Sequence, residues 1–143
     1  MPQPFVFTIR IYYEDTDAGG IVYYANYLKY LERARTEWLR TLGVEQDELA
    51  RREGVIFVVR SAAIEFLKPA YFNDLIEVSV DIARLRGASM TFAQTIRRAA
   101  SAVGNEPEIL CEAEVRVASI DAATRGPRPL PAALKRRLEE ATT

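Results

Sequence analysis

The hydrophobic positions of the chain follow two periods, and these separate strands from helices. Residues Phe5–Tyr13 alternate bulky apolar side chains with smaller or polar ones, which predicts a strand. From Asn26 to Leu42 apolar residues recur every three or four positions, as on one face of an amphipathic helix. The segment between them, EDTDAGGIV, is rich in acids and glycines and predicts a loop.

The second half of the chain is dominated by strand patterns. Val55–Leu67 is rich in β-branched and aromatic residues on both faces, so we predict a long, central strand that is buried on both sides. The remaining predicted elements are a short helical turn at Asp47–Glu53, strands at Leu75–Leu85, Ser89–Arg98 and Ile109–Ile120, a hairpin loop at Ala100–Glu106, a loop at Asp121–Pro131 and a helix at Pro131–Ala141.

This order of elements predicts the fold class. One long helix followed by strands with short links is typical of an α+β protein with a largely antiparallel sheet. The helix, about 25 Å long, would cover one face of a five-stranded sheet. The apolar character of both faces of Val55–Leu67 then predicts a second subunit. A chain of 143 residues fits a single domain, residues 1–143.

Composition removes several classes of function. Lys and Arg total 19 and Asp and Glu total 20, so there is no basic field for nucleic acid. The chain has no histidine, which excludes Ser-His-Asp and Cys-His nucleophile systems and imidazole metal ligands. With Cys111 as the only cysteine, no intrachain disulfide forms. Together with the lack of a signal peptide and of any membrane-length apolar run, this favours a cytoplasmic protein without an integral membrane segment.

The acidic loop before the long helix is the strongest candidate for chemistry. Glu14, Asp15 and Asp17 lie next to Gly19 and Gly20. The glycines allow the backbone to approach a ligand closely, and the helix start offers unpaired N–H donors. A carboxylate beside such donors can act as nucleophile or general base in acyl transfer. The alternative is that these residues only form a turn and a helix cap.

The same residues carry a family resemblance. The run DTDAGGIVYYANY resembles the signature of the 4-hydroxybenzoyl-CoA thioesterase family and is most similar to the Tol–Pal-associated acyl-CoA thioesterases of the YbgC group. The later runs LKYLERARTEWLRTLG and RSAAIEFLKPAYFNDLIEVSVDI match that group as well. The resemblance implies a hotdog fold, hydrolysis of acyl-CoA to a free acid and CoA, no metal and no other cofactor. It also implies a homo-oligomer, a dimer that pairs into a tetramer.

The resemblance assigns roles to particular residues. It makes Asp17 the catalytic carboxylate, as nucleophile or general base, and gives the Tyr24 backbone N–H the task of polarising the thioester carbonyl. Gly20 is expected close to the substrate. Many members of the group have histidine at the position of Tyr24, so the side-chain contribution there differs, whereas the backbone role does not depend on the side chain. Asp15 is expected to hold the loop through hydrogen bonds.

Three further residues are candidates for binding the substrate, two of them through the CoA phosphates. Arg84 and Arg86 flank a predicted turn and suit phosphate groups, although they would equally suit a solvated hairpin end. Ser89 begins the next strand and is expected to face the site. Two other functions stay open, a thioesterase acting on acyl carrier protein and a non-catalytic module that binds acyl-CoA.

Overall fold

The computed structural model of the chain describes residues 5–99 and 108–142. These residues form a five-stranded antiparallel sheet and three α-helices, which confirms the α+β class. The predicted hairpin loop Ala100–Glu106 lies outside the described residues. The strands are β1 (Phe5–Arg10), β2 (Val55–Phe66), β3 (Leu75–Leu85), β4 (Ser89–Arg98) and β5 (Glu108–Asp121), and the helices are α1 (Asn26–Thr41), α2 (Gln46–Glu53) and α3 (Ala132–Thr142).

Helix α1 buries its apolar stripe against one face of the sheet. Tyr27, Leu31, Ala34 and Trp38 follow the helical period and are all buried. The Trp38 ring meets the Phe92 ring edge to face, with centroids 5.9 Å apart. This packing holds α1 against the sheet along its length.

A buried polar link also ties α1 to the sheet. The Arg35 guanidinium donates to the Gln94 side-chain oxygen at 3.0 Å, and the Gln94 amide donates to the Leu31 carbonyl at 3.1 Å. Burial lowers the pKa of Arg35, because removal from water disfavours its charged form. The link therefore sets α1 in register with β4 at the cost of burying a cation.

Strand β2 lies at an edge of the sheet, so the prediction of a central, doubly buried strand is wrong for the single chain. The strand order is β1-β3-β4-β5-β2, and β2 pairs with β5. Its apolar side chains are partly open: Val59 is 54% exposed and Phe66 is 49% exposed. A long apolar edge of this kind is a ready surface for pairing with another strand.

Strand β1 ends earlier than the alternation predicts. The pattern of apolar residues continues to Tyr13, but the strand stops at Arg10, and Tyr13–Asp15 forms a 3-10 turn. The Ile11 N–H continues the ladder to the Asp74 carbonyl at 2.9 Å, after which the chain turns away from the sheet. The acidic loop therefore begins at the end of the sheet where β3 starts.

The loop and the β3–β4 turn lie at opposite ends of the sheet. Arg10 pairs with Leu75 at the start of β3, next to the loop. The turn between Leu85 and Ser89 follows the other end of β3. An 11-residue strand spans about 36 Å. None of the described helices is long and apolar enough to cross a membrane.

Candidate active site

Asp17 opens a tight turn that resembles a small hairpin. The Asp17 N–H donates to the Ile21 carbonyl at 2.9 Å, and the Gly20 N–H donates to the Asp17 carbonyl at 3.0 Å. Thr16 and Val22 form an antiparallel bridge behind the turn. Gly20 has φ +80°, a conformation that glycine adopts without steric cost. Gly20, a predicted substrate-binding residue, thus already uses its N–H inside the turn.

The Asp17 carboxylate is anchored on one oxygen. Its Oδ1 accepts a bond from the Gly19 N–H at 2.8 Å, and the residue is exposed. A Cβ atom on Gly19 would lie 3.2 Å from the same Oδ1, so the two residues are in close contact. This arrangement orients the carboxylate and leaves its second oxygen open for chemistry.

The Tyr24 N–H lies at the start of α1. Asn26 N–H donates to the Tyr23 carbonyl at 2.9 Å and Tyr27 N–H to the Tyr24 carbonyl at 3.3 Å, which tightens the first turn. Among residues 5–99 and 108–142, no carbonyl or side chain accepts a bond from the Tyr24 N–H. An unpaired donor at the positive end of a helix can bind a developing oxyanion.

Asp15 holds the loop in shape, as predicted. Its Oδ2 accepts the Tyr12 N–H at 2.8 Å, and its carbonyl accepts the Tyr23 N–H and the Asn26 side-chain amide, each at 2.9 Å. Burial, and then the charge of Asp15, raise the pKa of Tyr30, whose hydroxyl stays neutral beneath the loop. Sequence reasoning missed Asn26; an asparagine at a helix start beside an acidic loop was the available signal.

The predicted substrate-binding residues Arg84, Arg86 and Ser89 form a second group at the β3–β4 turn. The Arg86 N–H donates to the Ser89 carbonyl at 2.9 Å and closes the turn. Ser89 lines a cavity of about 420 Å³, whereas Arg84 and Arg86 lie outside its lining. The cavity brings Ser89 together with three arginines that sequence reasoning did not assign to the site, namely Arg60, Arg116 and Arg125.

These arginines give that end of the sheet a positive charge. Within the described part of the chain, no ion pair involves Arg60, Arg84, Arg86, Arg116 or Arg125. Arg116 was hard to find from the sequence, because only the strand register places it opposite Thr91 and near Ser89. A single chain thus holds Asp17, Gly20 and Tyr24 at one end of the sheet and the basic group at the other.

Comparison with known proteins identifies the family. Residues 12–138 match the sequence pattern of a protein family described as the thioesterase-like superfamily. The chain belongs to the thioesterase-like superfamily. This confirms the family resemblance and, with it, the prediction that the chain is a thioester hydrolase.

Relatives in the thioesterase-like superfamily cover nearly the whole chain. The acyl-CoA thioester hydrolase YbgC of Escherichia coli is 44% identical over 127 residues, which cover 89% of this chain and 90% of that protein. The acyl-CoA thioesterase YbgC of Haemophilus influenzae is 40% identical over 92% of this chain and 91% of its own length.

A solved structure confirms the hotdog fold. A 4-hydroxybenzoyl-CoA thioesterase, crystallised with 4-hydroxybenzoyl-CoA, superposes with a TM-score of 0.85. The match covers 96% of this chain and 99% of the other at 18% identity, and at that identity it shows the fold.

Proposed function

We propose that the chain hydrolyses acyl-CoA thioesters to a carboxylic acid and free CoA, and that it does so in the cytoplasm. The relatives named acyl-CoA thioesterases support this substrate class. The observation that carries the proposal is the Tyr24 N–H at the start of α1, which has no acceptor among the described residues and lies on the same short loop as the anchored Asp17 carboxylate. A donor for an oxyanion and a carboxylate are the groups that thioester hydrolysis without histidine requires.

The Tyr24 N–H and the Asp17 carboxylate have different roles in the reaction. The thioester carbonyl oxygen accepts the Tyr24 N–H, which stabilises the negative charge that develops there by about 3 kcal/mol. Asp17 then either attacks the carbonyl carbon, which forms a mixed anhydride and expels CoA thiolate, or removes a proton from an attacking water. In the first route water hydrolyses the anhydride, so both routes consume one water and release one acid and one CoA thiol.

A dimer formed through β2 would bring the Asp17 loop of one chain next to the basic group of the other chain. The Phe66 end of β2 lies beside Tyr24, with ring centroids 6.1 Å apart, and Val58 near the other end lines the Ser89 cavity. Antiparallel pairing of β2 with β2 of a second copy around a two-fold axis places these unlike ends side by side. Asp17 of one protomer would then face the basic group of its partner. Further pairing into a tetramer stays a prediction.

The basic group fits the nucleotide end of CoA. Arg60, Arg116 and Arg125 surround a cavity that also contains Ser89. Guanidinium groups that have no ion-pair partner in the described part of the chain suit phosphates, because they offer several N–H donors in a planar fork. Arg84 and Arg86, at the end of β3 and in the turn, extend the same positive surface. We infer that CoA phosphates bind here while the thioester reaches the partner's Asp17.

A thiol-release assay tests the proposal. Asp17→Asn should lower kcat for the best acyl-CoA in a panel of aliphatic and aromatic thioesters by at least about a hundredfold, because the amide is neither a nucleophile nor a base. Glu14→Gln is the matched control, since Glu14 is an acid in the same loop and should retain activity. Full activity of Asp17→Asn, or equal losses in both variants, would overturn the assignment.

A further inference from the structure

Asn26 bonds to residues next to both parts of the proposed catalytic arrangement, namely Asp15 near Asp17 and Tyr23 before Tyr24. It is the first residue of α1 and follows Tyr24 closely in the chain. Its side-chain amide nitrogen donates to the Asp15 carbonyl at 2.9 Å, a partly buried bond between residues 11 apart in sequence. Asp15 in turn precedes Asp17 by two positions. Asn26 therefore links the helix start to the backbone that carries Asp17.

The backbone of Asn26 orients the Tyr24 N–H. Its N–H donates to the Tyr23 carbonyl at 2.9 Å. That carbonyl belongs to the same planar peptide unit as the Tyr24 N–H, so fixing one fixes the direction of the other. The Tyr23 N–H also donates to the Asp15 carbonyl at 2.9 Å, which closes a ring of three hydrogen bonds through Asp15, Tyr23 and Asn26.

Helix capping does not account for Asn26. The residue that caps α1 is Ala25, and the helix start has no side-chain cap bond. Asparagine has a weak intrinsic preference for helix, because its side chain competes for backbone groups. Here that side chain reaches away from α1 to the Asp15 carbonyl. The bond to the loop is thus the interaction that the asparagine amide provides.

We propose that Asn26 is a positioning residue that fixes the Asp17 carboxylate relative to the Tyr24 N–H, so that its loss lowers kcat and leaves substrate affinity unchanged. This inference rests on the proposed function. Misplacement of a catalytic group by about 1 Å can cost about a hundredfold in rate. The Asn26 amide makes a side-chain hydrogen bond that ties the acidic loop to α1.

Two substitutions separate the hydrogen bond from the space that the side chain fills. Asn26→Asp keeps the shape but replaces the donor with an oxygen that repels the Asp15 carbonyl, and Asn26→Ala removes the group. In both, we expect kcat to fall at least about tenfold. The Kd of a non-hydrolysable thioether analogue of the best acyl-CoA, measured by calorimetry, should stay within about twofold of wild type.

A stability control decides between outcomes. Leu138→Val destabilises α3, which packs against β3 and bonds to the far end of α1, where Arg137 donates to the Leu42 carbonyl at 2.9 Å. This variant should keep its kcat, so a loss that merely followed thermal stability in all variants would overturn the proposal.

Asp17→Asn, measured in parallel, distinguishes the two proposals from each other. Full kcat in Asp17→Asn overturns the catalytic assignment and the positioning role with it. An inactive Asp17→Asn beside fully active Asn26→Asp and Asn26→Ala overturns the role of Asn26 alone. A weaker Kd with unchanged kcat in the Asn26 variants also refutes it, because that result describes a binding residue.

Discussion

Gly19 and Gly20 are adjacent, yet alanine at each should affect a different property. Gly20 has φ +80° and open space where a Cβ atom would lie, so Gly20→Ala meets backbone strain and no clash. Gly19 has no such φ, but its new Cβ would lie 3.2 Å from Asp17 Oδ1. We therefore expect Gly19→Ala to lower activity and Gly20→Ala to lower stability.

The expected changes in kcat and stability follow from the Gly19 contact and from the Gly20 backbone conformation. In Gly19→Ala the carboxylate must shift by a few tenths of an ångström, and at about a hundredfold per ångström this lowers kcat roughly two- to tenfold. Its free energy of unfolding should stay within about 1 kcal/mol of wild type, since the backbone conformation suits alanine. In Gly20→Ala the left-handed conformation costs about 1–2 kcal/mol, which lowers Tm by roughly 2–8 °C.

The assay combines kcat from thiol release with Tm from calorimetry on the two variants and wild type. Wild-type kcat in Gly19→Ala would show that the Gly19 contact does not control the Asp17 carboxylate. A fall in Tm in Gly19→Ala as large as in Gly20→Ala would show that the loop responds as one unit. Either result would refute the reasoning from the two glycines.

Three further predictions concern the rest of the chain. Val59→Glu places a charge on the exposed edge of β2 and should give monomers by light scattering, with loss of turnover; an active monomer would contradict this. Arg116→Gln should raise KM for acyl-CoA several-fold with little change in kcat, and the effect should shrink in high salt. Burial raises the pKa of the Cys111 thiol to about 11. The ordinary pKa of the thiol is 9.0. The stability that burial of the neutral thiol contributes is therefore complete below about pH 9 and is lost as the pH rises towards 11. Urea unfolding of wild type between pH 8 and 10.5 should therefore lose more free energy than that of Cys111→Ala.

The helices and most strands could be predicted because their signals are local. The apolar period predicts an end of helix α1 at Leu42, and the helix ends at Thr41, with the turn completed by Gly43 at φ +82°. Strands β3 and β5 follow from alternation, since buried and more open residues alternate along most of each strand. Strand β4 follows from Met90, Phe92 and Ile96 on its buried face, although its other face is largely half-buried. Periodicity indicates which side of an element is buried, and this was sufficient to predict these helices and strands.

The position of β2 could not be predicted for a physical reason. Apolar residues on both faces favour a central strand, yet β2 has a neighbour on one side within the described chain. A strand that is destined to meet another chain has the same composition as one buried in its own. One sequence does not distinguish these two cases, because it does not state which surface covers the strand.

The candidate site also contains residues that the sequence identifies and residues that it does not. Asp17, Gly20 and Tyr24 are close in sequence, so a local motif was enough to name them. Arg116 comes near Ser89 only through the register of β4 and β5, and Asn26 meets Asp15 through the fold of the loop. The contact of Arg116 leaves no mark in a single sequence, whereas an asparagine at a helix start beside an acidic loop was the one signal that pointed to Asn26.

The separation of Asp17 from the arginine cluster has a genetic consequence. Suppose that each site takes its Asp17 carboxylate from one protomer and its guanidinium groups from the other. A chain that lacks the carboxylate and a chain that lacks the guanidinium groups would then complement each other. Their mixed dimer would contain one site with both defects and one site with neither. Coexpression of two alleles that are inactive alone would then restore about a quarter of wild-type activity.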